Sequence, residues 1–494
     1  MGHCDVVVVG AGNAGMCAAL SAAEHGARVL VLERAPFDQR GGNSRYTAGA
    51  FRVVYDGAED LRKLMPDLAD QQVSETDFGS YTRASFFEDM ARVTQNRADP
   101  DLVEVLVDRS YDTLSWMYTK GIRFSPMYGR QAFKQDGRFR FWGGLTVEAW
   151  GGGPGLIEQF DKAIDRTDEI SIQYDSRATE LILEGNRIVG VTVQTSEGER
   201  NISCDAVILA CGGFEANPAW RAKYLGASWD LAKVRGTRFN TGDGHRMGMS
   251  VGGEPAGNWS GCHAVSWDAN APEFGTLKVG DGFQKHSYPF GIMVNNRGER
   301  FVDEGEDFRN YTYAKYGRAV LAQPNQVAWQ VFDSSVSNLL RDEYRIREVT
   351  RVRANSLKEL GERMEGMNVD AFVATVEEFN SAVDRTVPFD PTVKDGRSTV
   401  GLAIDKSNWA NAVESPPFEA YSVTCGITFT FGGLRIDTNA AVLNSEGNPV
   451  PGLFAAGEIV GGIFYHNYPG GTGLTSGSVF GRMAGASAAE TVRS

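Results

Sequence analysis

The sequence predicts an α/β fold: a parallel sheet opened by a βαβ unit, with an α+β domain inserted before the chain returns to that sheet. Three observations carry this. A β-branched run, Asp5-Val-Val-Val-Val9, leads straight into Gly10-Ala-Gly-Asn-Ala-Gly15. Apolar runs ending in glycines recur far downstream, at residues 206–213 and 452–457. Between about 254 and 424 the composition shifts to more aromatics and long charged stretches, with Pro388, Pro391, Pro416 and Pro417 near its end.

The elements follow in order. Residues 5–9 read as a buried parallel strand, because Asp5 is followed by four valines. Residues 16–25 read as an Ala-rich helix that Gly26 stops. Arg28-Val-Leu-Val-Leu-Glu33 reads as a second strand ending in an acid. Residues 56–135 read as mostly helical and polar. Six glycines among Phe139, Phe141, Trp142 and Trp150 form a loop opening a helix over 156–164. Residues 171–208 alternate as strands do, with turn signals at Gly185-Asn186 and Glu197-Gly198. A last helix is expected from Thr475. The expected domains are residues 1–253, an inserted cap over 254–424, and a return over 425–494.

Composition narrows the function. The chain has 494 residues, about three domain-sized units at ~150 residues each, so it can bury a large core without a staple. Its net charge of −14 argues against a nucleic-acid binder. Glycine is in excess, 58 residues, and clustered, as where backbone must approach a ligand. The six cysteines show no CxxC and no zinc spacing, so buried reduced thiols and no metal site are expected. Met1-Gly2-His3 leads into the first strand without a charged leader, and Val6 stands where a myristoylation signal wants Ser or Thr. No apolar run is long enough to span a membrane. A cytoplasmic protein is expected.

GxGxxG alone is a weak signal. Here it lies between strand and helix, and Glu33 ends the next strand 18 residues after Gly15, the setting of a Rossmann-like dinucleotide site. Gly10 makes the turn, Gly12 admits the pyrophosphate, and Gly15 packs helix on strand. Glu33 is placed to accept from a ribose. Ala206-Val-Ile-Leu-Ala-Cys-Gly-Gly213, Gly452-Leu-Phe-Ala-Ala-Gly-Glu458 and Gly41-Gly-Asn-Ser44 favour FAD over NAD, because they resemble the later flavin-contacting motifs of two-dinucleotide-fold flavoproteins.

With Thr241-Gly-Asp-Gly244, Arg300-Phe-Val-Asp-Glu304 and residues 432–485, these motifs make the whole chain resemble the flavoprotein subunits of succinate dehydrogenase and fumarate reductase. That family also holds urocanate reductases and 3-ketosteroid Δ1-dehydrogenases. Within it, Gly-Gly-Asn-Ser-Arg-Tyr-Thr-Ala-Gly (41–49), Glu-Asp-Phe-Arg-Asn-Tyr-Thr (306–312) and residues 466–476 are most similar to the tricarballylate dehydrogenases. The resemblance implies an FAD-binding domain of the fumarate reductase type with a capping domain. It implies FAD contacts from Gly10, Gly12, Asn13, Ala14, Gly15, Glu33 and Arg34 in the first unit. Gly42, Asn43, Ser44, Thr47, Ala48 and Gly49 follow in the loop. Ala178, Ala210, Cys211, Gly212, Gly213, Thr241 and Asp243 come next, then Gly457, Glu458, Gly471, Gly473, Leu474 and Thr475 late in the chain. The family's FAD-linking His has no counterpart in Asn43-Ser-Arg-Tyr46, so FAD is expected to be non-covalent.

The resemblance also gives substrate-side candidates. Arg309 matches the family's proton-carrying Arg, one residue late; its bland alternative is an ion pair with Glu304, Glu306 or Asp307. Tyr468 matches the ketone-binding Tyr of the ketosteroid enzymes, or is a packing residue. His466 replaces a lost carboxylate clamp, or is an ordinary cap contact. Arg45, Arg52 and Arg140 are further carboxylate candidates, with surface arginines as the alternative, and Thr430 lies in the stretch matching a substrate-gripping element. Phe429 stands where fumarate reductases carry a clamp His, which puts plain fumarate in doubt. His245, His263 and His286 show no partner pattern and read as packing residues.

The expected reaction is oxidation of a saturated polycarboxylate, tricarballylate to cis-aconitate, with electrons passing to a separate acceptor. The resemblance suggests a quinone-linked membrane iron–sulfur protein, which would hold the chain at the inner membrane's edge. The alternatives are a Δ1-ketosteroid-type or natural-product desaturase, and a reductase of an unsaturated acid. A flavin-binding scaffold without this chemistry would need a closed ring face or a basic surface, and the net charge argues against the latter.

Overall fold

The computed structural model describes residues 4–493. The Met1-Gly2-His3 start, read above for targeting signals, lies outside the described residues. Strand β1 (Val6–Val9) is buried along its length, as an all-valine strand covered on both faces should be. It leads into helix α1 (Asn13–Glu24) and strand β2 (Val29–Leu32). The turn between β1 and α1 needs its glycines: Gly10 has φ +107°, and a Cβ on Gly15 would lie 1.9 Å from the Gly10 carbonyl oxygen.

Helix α2 (Gly152–Ile164) leads to β3 (Ile170–Gln173), then to the antiparallel sheet β4 (Arg177–Glu184), β5 (Arg187–Thr195) and β6 (Gly198–Ser203). Strand β7 (Ala206–Leu209) returns to β1 in parallel register, Val6 opposite Ala206. The 152–155 glycines join α2 four residues earlier than the sequence suggests. The reason is close packing: a Cβ on Gly153 would lie 2.2 Å from the Ser44 carbonyl oxygen.

The later elements are β8 (Pro255–Asp268), β9 (Ile292–Asn295), helix α3 (Arg309–Leu321), β10 (Ala328–Phe332) and β11 (Phe418–Leu434). Strands β12 (Ala441–Leu443) and β13 (Pro449–Ala455) and helix α4 (Thr472–Arg493) close the chain. The first sheet runs β12-β13-β7-β1-β2-β3, with only β12 antiparallel to its neighbour. Helix α4 lies directly on α1, where Cβ atoms on Gly481 and Gly485 would meet the Ala14 and Ala18 carbonyl oxygens at 2.4 and 2.2 Å.

A second sheet holds β11 between the short strand Lys233–Val234 and β10, with β9 beyond. Strand β8 pairs antiparallel with β11 from Pro255 opposite Leu434 to Asp268 opposite Val423. This long ladder spans both sheets' territory. The expected boundary at 424/425 therefore falls inside β11, and Lys233–Val234 joins the second sheet ahead of residue 254. The ladder leads residues 428–431 from the cap to the edge of the first sheet, where they wall the cleft. Among the described residues no helix is long and apolar enough to cross a membrane. The six cysteines are unpaired.

Candidate active site

One deep cleft runs from the β1–α1 turn to the second sheet. Its outer end is built from contiguous backbone. Gly10, Gly12, Asn13, Ala14, Glu33 and Arg34 line it from the βαβ unit. Gly42, Asn43, Ser44, Thr47 and Ala48 line it from the following loop. Ala178, Ala210, Cys211, Gly212, Thr241 and Asp243 line the far wall, with Gly457, Glu458, Gly471, Gly473 and Leu474 from the C-terminal segments.

This end fits a dinucleotide. Glu33 is buried, and its carboxylate accepts from the Ala11 and Ala35 amides at 3.0 and 2.8 Å. Those bonds fix its orientation and leave lone pairs for a ribose. Burial pushes its carboxyl up, and the backbone donors pull it back. Gly12 is telling in another way. A Cβ there would meet no protein atom nearer than 3.6 Å, so protein packing does not explain this glycine and a ligand's approach does. Asp243 is held by Arg177 at 2.8 Å and Arg34 at 3.1 Å, a bridge that ties the far wall to β2. Glu458 accepts from the Thr430 amide at 2.8 Å and hydroxyl at 3.2 Å. Burial, and then the nearby Glu215 carboxylate, hold the Glu458 carboxyl well above the usual range. Thr430 lines the cleft but spends its hydroxyl on Glu458.

Other sequence candidates stand elsewhere. Gly15, Gly49 and Gly213 lie behind the wall, where their missing side chains admit Gly10, Gly152 and Glu458. Thr475 donates to the Arg52 carbonyl at 2.8 Å and accepts the Arg52 amide at 3.1 Å, so its hydroxyl is committed away from the cleft. The structure places Arg45, Arg52, Arg140 and His466 away from the residues that line the cleft. Arg52 is fully buried off the cleft, donating to the Gly470 and Gly143 carbonyls at 2.9 Å each, with Asp89 at 3.7 Å. It braces the loop before α4. Arg45 folds back to the Asp38 carbonyl at 2.6 Å. Arg140 is an exposed strand residue bonded to Gln135 at 3.1 Å. His466 is exposed at φ +62° and points outside the cleft walls. Each looked like a clamp because it neighbours the site in sequence; strand alternation and a tight turn face it away.

The inner end is assembled from distant segments. Arg309 and Tyr313, one turn apart on α3, share the face that looks into the cleft. Arg130, Arg235, Asp281, His263 and His286 join them, with Tyr468, Phe429 and Phe464 opposite. The Tyr313 and Tyr468 hydroxyls are hydrogen-bonded to one another. His263 packs at 4.8 Å from both tyrosine rings, and His286 at 4.9 Å from Tyr313. Sequence reasoning missed Arg130, Arg235, His263, His286 and Tyr313. Only Tyr313 carried a signal, its four-residue spacing from Arg309.

Polar atoms here are left unsatisfied by the protein. Both ring nitrogens of His263, Nε2 of His286 and Nη1 of Arg309 are buried without a partner. The bland alternative for Arg309, an ion pair with Glu304, Glu306 or Asp307, does not form; instead Glu343 approaches at 3.8 Å, and Arg309 donates through Nη2 to the Arg130 carbonyl. Asp281 is shared by Arg130 at 2.7 Å and Arg235 at 2.6 Å. Burial, reinforced for His286 by Arg309, holds both histidines far below the usual imidazole range, so they are neutral. Burial also raises Tyr313 and Tyr468, against the pull of Arg235.

Comparison with known proteins agrees with this architecture. Residues 5–474 match the family model described as FAD binding domain. A fumarate reductase (cytochrome) from Shewanella frigidimarina is 31% identical over 98% of this chain and 77% of its own. A urocanate reductase from Eggerthella lenta is 28% identical over 98% of this chain and 74% of its own. Among solved structures, the open form of a flavocytochrome c3 fumarate reductase superposes with TM-score 0.73 at 26% identity, covering 100% of this chain and 79% of that one. A 3-ketosteroid Δ1-dehydrogenase from Sterolibacterium denitrificans superposes with TM-score 0.74 at 20% identity over 99% of this chain and 100% of that one, a likeness of fold alone.

Proposed function

This chain belongs to the FAD binding domain family, among the fumarate reductase flavoproteins, and is an FAD-dependent oxidoreductase of CH–CH bonds; we propose that it oxidises a saturated polycarboxylate, tricarballylate, to its α,β-unsaturated form, cis-aconitate. The observation that carries this reading is the charge of the inner cleft. Three guanidiniums, Arg130, Arg235 and Arg309, line it against one carboxylate, Asp281. A polyanion restores the balance, and a neutral steroid does not.

Bound without a covalent link, FAD supplies a ring that accepts a hydride. The residues do the rest. Arg309, whose Nη1 makes no hydrogen bond within the protein, grips a carboxylate beside the reacting carbon and stabilises the charge that grows there as the adjacent proton leaves. The Tyr313–Tyr468 pair takes that proton on a phenol oxygen, and Arg235 favours the phenolate. Neutral His263 and His286 accept or donate hydrogen bonds to the substrate without adding charge. Phe429 and Phe464 keep water from the reacting carbons. Electrons leave to a separate acceptor, for which an iron–sulfur protein serving quinone is proposed, since an unactivated CH–CH couple lies too high to reduce NAD.

Anaerobic bleaching of the flavin band tests the reading. Tricarballylate should bleach the holoenzyme rapidly, and succinate slowly. Bleaching by a 3-ketosteroid and not by tricarballylate would overturn it.

A further inference from the structure

A small second pocket shares Arg309 and His286 with the inner cleft. Phe133, Trp142, Phe308 and Trp409 wall it, and the partly exposed Arg341 stands at its rim. Trp142 belongs to the aromatic and glycine loop that precedes α2. The pocket's apolar walls contrast with its polar atoms. Trp142 Nε1, Arg309 Nη1 and Arg341 Nη2 are buried with no partner, as is His286 Nε2. The first three can only donate. Trp142, His286 and Arg309 are each more than nine-tenths buried, at 7, 4 and 7% exposure. Trp142 Nε1 and Arg341 Nη2 find no hydrogen-bond acceptor among the described residues, while Arg309 Nη1 faces Glu343 Oε1 at 3.8 Å, too far for a hydrogen bond.

Leaving such donors unmade is costly, so the pocket's chemistry asks for an acceptor. Charge says which kind. Arg341 lies over the Phe133 ring at 4.0 Å, and Arg309 over Trp142 at 5.7 Å. Burial and Arg309 push Arg341 down to about 9, against the pull of Glu343 and Asp342. Guanidiniums crowded in this way are relieved by an anion, because they do not give up their protons at neutral pH.

We propose that this side pocket is a carboxylate subsite, which takes the third carboxylate of the substrate, the one a dicarboxylate lacks, on a short methylene arm passing between the aromatic walls. The inference rests on the polycarboxylate reading above and sharpens it. Arg341 and Trp142, which do not line the main cleft, select a tricarboxylate over a dicarboxylate, while Arg309 serves both.

Binding, separated from turnover, tests this. In FAD-loaded Tyr313→Phe protein, calorimetry measures the affinities of tricarballylate and succinate, with and without Arg341→Met or Trp142→Phe. Arg341→Met should weaken tricarballylate by about 10–100-fold, the range for a hydrogen bond to a charged group, and leave succinate unchanged. Trp142→Phe keeps the ring, loses the donor and should weaken tricarballylate by roughly 5-fold. Equal weakening of both acids, or of neither, overturns the subsite. Selective weakening without bleaching of the parent enzyme by tricarballylate would keep the subsite and remove the proposed reaction. No tricarballylate binding at all would remove both.

Discussion

The two ends of the cleft are built on opposite principles. At the outer end the chain satisfies itself: Glu33 is held by two backbone amides, and Asp243 by two arginines. What is left for the cofactor is shape, such as the empty space at Gly12. At the inner end the chain leaves its own polar atoms unmet, on His263, His286 and Arg309. One end is a mould, finished before its ligand arrives. The other leaves buried donors and acceptors that the protein itself does not pair.

The strongest test of the inner end is Tyr313→Phe. If the tyrosine pair moves the proton, kcat should fall by about 10²–10⁴-fold, the usual contribution of a positioned acid or base. FAD content should not change, because Tyr313 lies away from the outer end. The pH profile adds a signature that a packing role would not give. Burial raises both phenols above the ordinary ~10, and the working base is the phenolate. Oxidation should therefore speed up about tenfold per pH unit through the neutral range and reach no plateau below pH ~10. Tyr313→Phe should flatten that rise. A plateau near pH 7 in the parent enzyme would assign the base elsewhere.

The outer end is tested by two glycines three residues apart. Gly15→Ala forces a Cβ to 1.9 Å from the Gly10 oxygen and should destabilise the apoprotein by about 1–3 kcal/mol or more, seen as a lower Tm. Gly12→Ala brings its Cβ no closer than 3.6 Å to any protein atom, an ordinary contact, so the apoprotein's stability should hold within ~0.5 kcal/mol. Its FAD affinity should drop by roughly 10–100-fold, the same overpacking range placed on the ligand. If both variants behaved alike, the distinction between a packing glycine and a ligand glycine would fail. Arg309→Lys is a gentler probe of the other end. It keeps the charge and loses the fork, so KM for a carboxylate substrate should rise about tenfold, with a smaller change in stability.

The contrast also explains what the sequence could reveal. The outer end is made by contiguous runs whose glycines and strand-ending acid have fixed spacings, so Gly10, Gly12, Glu33, Gly42 and Gly457 are legible one by one. The inner end is assembled by β8, β11, α3 and loops up to about 340 residues apart, from Arg130 to Tyr468. Single histidines and arginines there carry no local pattern, and only the fold gives His263 and His286 their neighbours. Inference from sequence proximity failed in the same place. Arg45, Arg52, Arg140 and His466 sit beside site motifs in the chain, but backbone direction decides which side chains enter a cleft, and proximity does not encode it.

That last point makes the smallest prediction a sharp one. His466 is exposed next to Tyr468 in sequence, and Arg140 is exposed two residues before Trp142. Were sequence neighbourhood the measure, His466→Ala would weaken the substrate as a lost clamp does. From its exposed placement outside the cleft walls, His466→Ala and Arg140→Ala should each leave kcat/KM within about twofold and stability within ~0.5 kcal/mol, the range for surface changes. Arg52→Met separates neighbourhood from burial. It too lies off the cleft, but it removes a fully buried cation that holds the Gly470 and Gly143 carbonyls, with Asp89 left behind. Its cost should be about 3–5 kcal/mol in stability, with substrate affinity per folded molecule largely kept. A change in substrate selectivity from any of the three would return that residue to the site and undo the division between the cleft's lining and its supports.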